Sequence, residues 1–138
     1  MKMSSFFVFD TNSLISAALR QKSTNRTALD KAIDLGSLAF SNRTFDELIE
    51  VLFRKKLDKY FANNNERWLI LNKIKINSSL FFPDISLKAS CDPKDDKFLE
   101  LAVSANASCI ITGDKDLLIL HPFRNIPILN AVDFLNNF

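Results

Sequence analysis

The sequence predicts an α/β fold: a three-layer α/β/α sandwich around a central, mostly parallel sheet of about four or five strands. Three observations lead there. Short apolar runs without alternation, FFVF at 6–9 and CII at 109–111, read as strands buried on both faces. The stretches between such runs carry helical spacing, and strands alternating with helices imply right-handed crossovers in a sheet covered on both sides. Both runs are also followed closely by an aspartate accompanied by Thr, Asn or Gly, in FDTN and TGDKD. Carboxylates set just past the ends of parallel strands converge on one crevice, so function is expected at that edge of the sheet.

Taken in order, 6–9 is expected as a central strand and 12–19 (NSLISAAL) as the helix after it. The polar stretch QKSTN at 21–25 breaks the pattern, and RTALDKAIDLG resumes it as a second helix stopped by Gly36. A second strand follows at 38–40. Thr44 opens a helix through Lys55 with Leu48, Val51 and Leu52 on one face, and Thr44 and Glu47 have the spacing of a capping box. A further helical region runs over 56–75 with an interruption near 62–65, its face formed by Trp68, Leu69, Leu71 and Ile74. A third strand is expected at 80–82, ended by Pro83. Asp92 at the cap and Pro93 in the first turn open the helix that carries Phe98, Leu99, Ala102 and Val103. Strands at 109–111 and 126–129 and a short helix at 131–135 complete the chain.

At 138 residues the chain has the length of one domain, and its 47% hydrophobic content suffices for a core. A net charge of +2 neither demands nor excludes a nucleic-acid partner, which would need a local basic patch. Arg54, Lys55, Lys56 and Lys59 form one candidate patch, and Arg20, Lys22 and Arg26 another; solvated helix faces are the plainer reading of both. Cys91 and Cys109 make a weak case for a disulfide, so a reduced, cytoplasmic protein is expected. The N-terminal apolar run is too short for a signal peptide or a membrane span. With His121 as the single histidine there is no zinc spacing and no hydrolytic triad. Two glycines, Gly36 and Gly113, exclude a glycine-rich phosphate loop.

The acids that remain stand in the order Asp10, Glu47, Asp96 and Asp114, with Asp116 close by. Like charges gathered in one crevice repel, and a divalent cation is the simplest group that stabilises them. Phosphodiester hydrolysis needs a water made nucleophilic and a leaving oxygen whose growing charge is neutralised. Mg²⁺ held by a few carboxylates supplies both.

With FDTN (Asp10, Asn12), the helix acid of DELIEVL (Glu47), DDKFLELA (Asp96) and TGDKDLL (Thr112, Asp114, Asp116), the chain resembles the PIN-domain nucleases over essentially its whole length. RKKL and TGDKDLL look most like the bacterial, VapC-like branch, the toxins of toxin–antitoxin pairs. The resemblance implies a single PIN-like domain over 1–138. It also implies a Mg²⁺- or Mn²⁺-dependent endoribonuclease with an RNA substrate and a cognate antitoxin protein as partner. A homodimer is expected too, because 13 phenylalanines exceed what a small core obviously needs and the family commonly pairs. Carried over to these positions, Asp10 and Asp96 contact the metal, Asp114 completes the site and Asp116 adjoins it. Glu47 holds a metal-bound water or orients the nucleophile, and Asn12 and Thr112 fix carboxylate rotamers or touch a phosphate.

Each acid also has a plainer reading. Glu47 can cap its own helix, and Glu50, one turn on, is the fallback acid. Asp10 can cap the first helix. Asp92 reads as a helix cap and Asp95 as its reciprocal capping acid, which leaves Asp96 for the site. Asp114 and Asp116 suit a helix N-terminus. A haloacid-dehalogenase-like phosphatase would need a second aspartate where Asn12 stands, and a response-regulator receiver an acidic pair by the first strand. A catalytically silent PIN-like module for binding RNA or protein would show lost acids, and all four positions are acidic here.

Overall fold

The computed structural model describes residues 5–138. Its centre is a five-stranded sheet, every pair parallel: β1 (Phe6–Phe9), β2 (Ser37–Phe40), β3 (Ser78–Leu80), β4 (Cys109–Ile111) and β5 (Ile128–Leu129), in the order β3-β2-β1-β4-β5. The pleat divides the core. Phe7 and Phe9 point into one layer and Val8 into the other, so a strand with no polar alternation serves two hydrophobic faces. The first face is covered by α1 (Thr11–Leu19), α2 (Thr24–Leu35), α3 (Asn42–Leu52), α4 (Asn64–Ile76) and the closing α7 (Ala131–Asn137). The second is covered by α5 (Asp96–Ala105) and the short α6 (Lys115–Leu118).

The chain runs outward from β1 through β2 to β3, then returns through α5 to β4 on the other side of β1. That reversal is the topological switch point of an open parallel sheet. Phe9 pairs with Ile111, so the residues that follow, Asp10 and Thr112–Asp114, leave the sheet side by side. Among the described residues no helix is long and apolar enough to cross a membrane.

Three local expectations change. Helix α3 begins two residues before Thr44: Ser41 is its cap, accepting from the Thr44 N–H, while the Ser41 N–H donates to the Thr44 hydroxyl. The capping box is therefore Ser41–Thr44 and leaves Glu47 free of that duty. Strand β3 starts directly after Asn77, two residues earlier than expected, because the ladder is taken up at once: the Leu38 N–H bonds the Asn77 carbonyl. On α4 the inward face is Arg67, Ile70, Leu71 and Ile74, whereas Trp68 and Leu69 are 51% and 70% exposed.

That shift follows from Arg67. Its guanidinium is buried and donates to the Leu52 and Arg54 carbonyls, to Asn64 Oδ1 and to Asp58 Oδ1, with the Phe61 ring 4.7 Å beneath it. The arginine thus ties the 3₁₀ turn Lys55–Tyr60 to the end of α3. Arg67→Met keeps the stem but strands two carbonyls. We expect it to cost about 2–4 kcal/mol in urea unfolding; a loss below about 1 kcal/mol would mean the arginine only fills space.

Phenylalanines pair largely within the chain, Phe7 with Phe134 and Phe138, Phe6 with Phe81, and Phe40 with Phe45. Phe82, by contrast, is 74% exposed. Cys91 is exposed and Cys109 buried; both are free, and burial pushes the Cys109 thiol up to about 12.

Candidate metal centre

Asp10 ends β1 and caps α1. Its Oδ1 accepts from the Ser13 N–H at 3.0 Å, and its Oδ2 accepts from the Thr112 hydroxyl at 2.8 Å. Thr112 is itself fixed by the Asp114 N–H, which donates to the threonine oxygen at 2.9 Å. One line of hydrogen bonds therefore couples the exits of β1 and β4. Asp114 also caps α6, accepting from the Asp116 N–H at 2.8 Å. The capping readings of Asp10 and Asp114 thus coexist with placement at the sheet edge, since a capping bond holds a carboxylate without burying both its oxygens' outward lone pairs.

The third approach to this edge comes from the start of α5. Asp92 accepts from the Lys94 N–H and opens a 3₁₀ turn, Pro93–Asp95, before the α-helix begins at Asp96. In a 3₁₀ turn positions i and i+3 eclipse. Asp95 closes that turn and Asp96 opens the α-helix, so the two neighbours stand in different local geometry. Asp96 accepts the Ala89 and Ser90 N–H groups at 3.2 and 2.8 Å and anchors the incoming loop. Asp95 makes no capping bond, is 9% exposed, and its Oδ2 is buried with no hydrogen-bond partner. Carboxylate oxygens of Asp95, Asp114 and Asp116 lie within 4.8 Å of one another. Of the two neighbouring acids it is thus Asp95, not the Asp96 expected from the sequence, whose carboxylate lies beside those of Asp114 and Asp116.

Electrostatics follow the crowding. Burial, the hydrogen-bonding side chain of Asp114, and the charges of Asp114, Asp92 and Asp10 push the Asp95 carboxyl up to about 7. Burial likewise raises Asp10, against the pull of its bonds from Ser13 and Thr112 and with a further push from Asp114.

Glu47 sits apart from the trio, on α3. Burial would raise its carboxyl. Hydrogen bonds from Lys97 and Thr11, with the charges of Lys97 and Arg54, outweigh burial and hold it below its usual range. Lys97 Nζ is 2.8 Å from Glu47 Oε2, and the Thr11 hydroxyl donates to Oε1. Glu50 is exposed and paired with Arg54 through two hydrogen bonds of 3.1 and 2.7 Å, so it faces away. Asn12 is exposed on the rim of a cleft of about 560 Å³ that it lines with Asp10, Thr112 and Asp114. Thr11 and Lys97 were not singled out in the sequence. Both adjoin acids that were, but neither residue type signals a role until the fold brings Glu47 against it.

Donors of this kind suit a hard cation: clustered carboxylates, one buried oxygen without a partner, and hydroxyl and backbone groups fixing the rest. Residues 7–116 match the PIN domain family model. The chain belongs to the PIN domain family, whose members are in general metal-dependent nucleases. It is 32% identical over 116 residues to the uncharacterized protein MJ1680 of Methanocaldococcus jannaschii, covering 82% of this chain and 73% of that one. PAE2754 from Pyrobaculum aerophilum shares the fold with a TM-score of 0.62 at 17% identity, over 98% of this chain and 90% of the other. So does the structure of VapBC2 from Rickettsia felis bound to a DNA fragment from their promoter, with a TM-score of 0.59 at 11% identity, over 91% and 98%.

Proposed function

We propose that this protein is a Mg²⁺- or Mn²⁺-dependent endoribonuclease and the toxin of a toxin–antitoxin pair. The observation that carries the metal-dependent reading is Asp95. A carboxyl group with one oxygen buried without a donor, and within 4.8 Å of two further carboxylates, is costly when ionised unless a cation shares the site. Asp95, Asp114 and Asp116 would hold the ion, with Asp10 at the adjoining end of β1. A divalent ion bound there makes water nucleophilic at neutral pH and neutralises the leaving oxygen.

The chain's own residues do the rest. Thr112 and Ser13 hold Asp10 in one rotamer, so the site does not reorganise as charge develops. Glu47, pinned by Lys97 and Thr11, stays ionised and orients the attacking water. The adjoining cleft is walled by Asn12, Ser13, Ser16, Thr24, Asn25 and Asn130, with no lysine or arginine among its lining residues. A polyanion entering it meets neutral donors and aspartates, so attraction there depends on the bound cation. Arg20, beside Tyr60 and Asn25 on one flank, and Arg43, beside Phe82 on the other, supply backbone contacts. The amide and hydroxyl lining suits bases and 2′-hydroxyls of single-stranded RNA. The fold likeness to VapBC2, a toxin–antitoxin assembly, supports a protein partner that restrains the activity.

The test is cleavage of a structured RNA by wild type and Asp10→Asn with Mg²⁺, Mn²⁺ or EDTA, alongside induced expression of both. Metal-dependent cleavage and growth arrest, both relieved by Asp10→Asn, are expected. RNA binding without cleavage at millimolar metal would instead assign a silent binding module.

A further inference from the structure

The acidic edge of the sheet divides into two unlike halves. In one, Asp10, Asp95, Asp114 and Asp116 gather with no basic side chain paired to any of them among the described residues, and Asp95 Oδ2 is buried without a partner. In the other, Glu47 already has a cation. Lys97 Nζ stands 2.8 Å from Glu47 Oε2, and the lysine side chain is 10% exposed. Its ammonium also donates to the Lys94 carbonyl and lies 4.9 Å from the Phe98 ring centroid. Lys97 follows Asp95 by two residues on the first turn of α5, so one rigid element presents the unpaired carboxylate to one half and the ammonium to the other. The second oxygen of Glu47 takes the Thr11 hydroxyl.

We propose that Lys97 is a built-in monovalent cation occupying the position a second divalent ion would take, so that the site binds one metal ion per chain and Glu47 is not a metal ligand. The inference rests on the metal-dependent reading above and specifies its stoichiometry. A divalent ion reaching Glu47 would have to displace a buried ammonium from a carboxylate, a carbonyl and an aromatic face together. It would then leave that ammonium buried without its anion, which is the costly way to break such a pair. No comparable obstacle guards the other half, where a cation relieves repulsion. Lys97 also borders the cleft lined by Ser41, Arg43 and Phe82, so the Glu47–Lys97 pair forms the boundary between that cleft and the acidic trio. In this arrangement Lys97 is a positioning residue for Glu47.

The experiment counts Mn²⁺ bound per folded chain by the electron paramagnetic resonance of free Mn²⁺, on wild type, Lys97→Arg and Lys97→Met. Cleavage rate against Mn²⁺ concentration is measured in parallel. One ion per chain is expected for wild type and Lys97→Arg, with a hyperbolic dependence of rate on Mn²⁺. Two ions are expected for Lys97→Met, the second about tenfold weaker or more, with a sigmoidal dependence. Two ions on the wild type would overturn the inference and leave the metal-dependent reading standing. No ion on the wild type at millimolar Mn²⁺ would overturn both. A folded Lys97→Met that still binds one ion would also overturn it. If Lys97→Met does not fold, the wild-type and Lys97→Arg counts decide alone.

Discussion

Asp95→Asn is expected to lower metal-dependent RNA cleavage by about 10²–10³-fold, the usual loss when one preorganised electrostatic group at a reacting centre is removed. Asp96→Asn is expected to leave cleavage within a few-fold of wild type. The two residues are neighbours of identical chemistry, so the contrast isolates placement. Asp95 has an oxygen without a partner and a carboxylate within 4.8 Å of those of Asp114 and Asp116, whereas both hydrogen bonds of Asp96 go to one oxygen from the Ala89 and Ser90 amides. Asparagine retains an oxygen that accepts those bonds, so Asp96→Asn conserves the loop. Asp96→Ala would remove it and cost about 1–2 kcal/mol of stability, read by thermal or urea unfolding. At Asp95 the same change removes a charge from a crowded site. The variant should therefore melt higher than wild type without metal and gain less from Mn²⁺. The reverse pattern, with Asp96→Asn inactive and Asp95→Asn active, would restore the register read from the sequence.

The one-residue register explains what the sequence could and could not convey. Buried parallel strands announce themselves, because a run such as FFVF or CII has no face to give to water. The acids following those runs fall at the sheet edge by topology alone. The placement of Asp10, Thr112 and Asp114 at that edge was legible for that reason. Helix starts are less so. A DPKDD stretch offers three acids, and whether the first turn is 3₁₀ or α decides which one comes to lie beside Asp114 and Asp116. At α3 the cap could be Ser41 or Thr44. Only the reciprocal bonds between them show that Glu47 lies beyond the capping turn. Exposed Trp68 and buried Arg67 invert the order hydrophobicity suggests, because the two Arg67 carbonyl acceptors lie outside its own helix. Lys97 was invisible for a related reason. A lysine after two aspartates reads as a solvated charge until a helix remote in sequence brings Glu47 to it.

Metal-free protein is expected to lose stability as pH rises from about 4 to about 7, and Mn²⁺ is expected to reverse that trend. The sign follows from Asp95, whose carboxyl moves from an ordinary value of 3.8 to about 7 in the folded chain. A raised carboxyl means the folded state holds its proton more tightly than the unfolded state. This contribution is full below the unfolded value and is lost as pH passes through about 7. Asp10, also raised by burial, acts in the same direction. Glu47 acts oppositely: its lowered carboxyl contributes stability above its ordinary value of 4.5, lost as pH falls through its folded value. Metal-free melting temperature should therefore peak in mildly acidic solution and decline toward neutrality. A bound cation requires the deprotonated carboxylates, so the stabilisation by Mn²⁺ should grow over the same interval in which the metal-free protein weakens. Asp95→Asn should flatten the metal-free decline, and Lys97→Met should remove the stability that Glu47 contributes above its ordinary value while leaving the decline in place. Melting curves at constant ionic strength from pH 4 to pH 8, with EDTA and with Mn²⁺, measure all three. A metal-free melting temperature that rises steadily to pH 8 would mean that Asp95 and its neighbours do not crowd one another, and the case for a cation between them would fall with it.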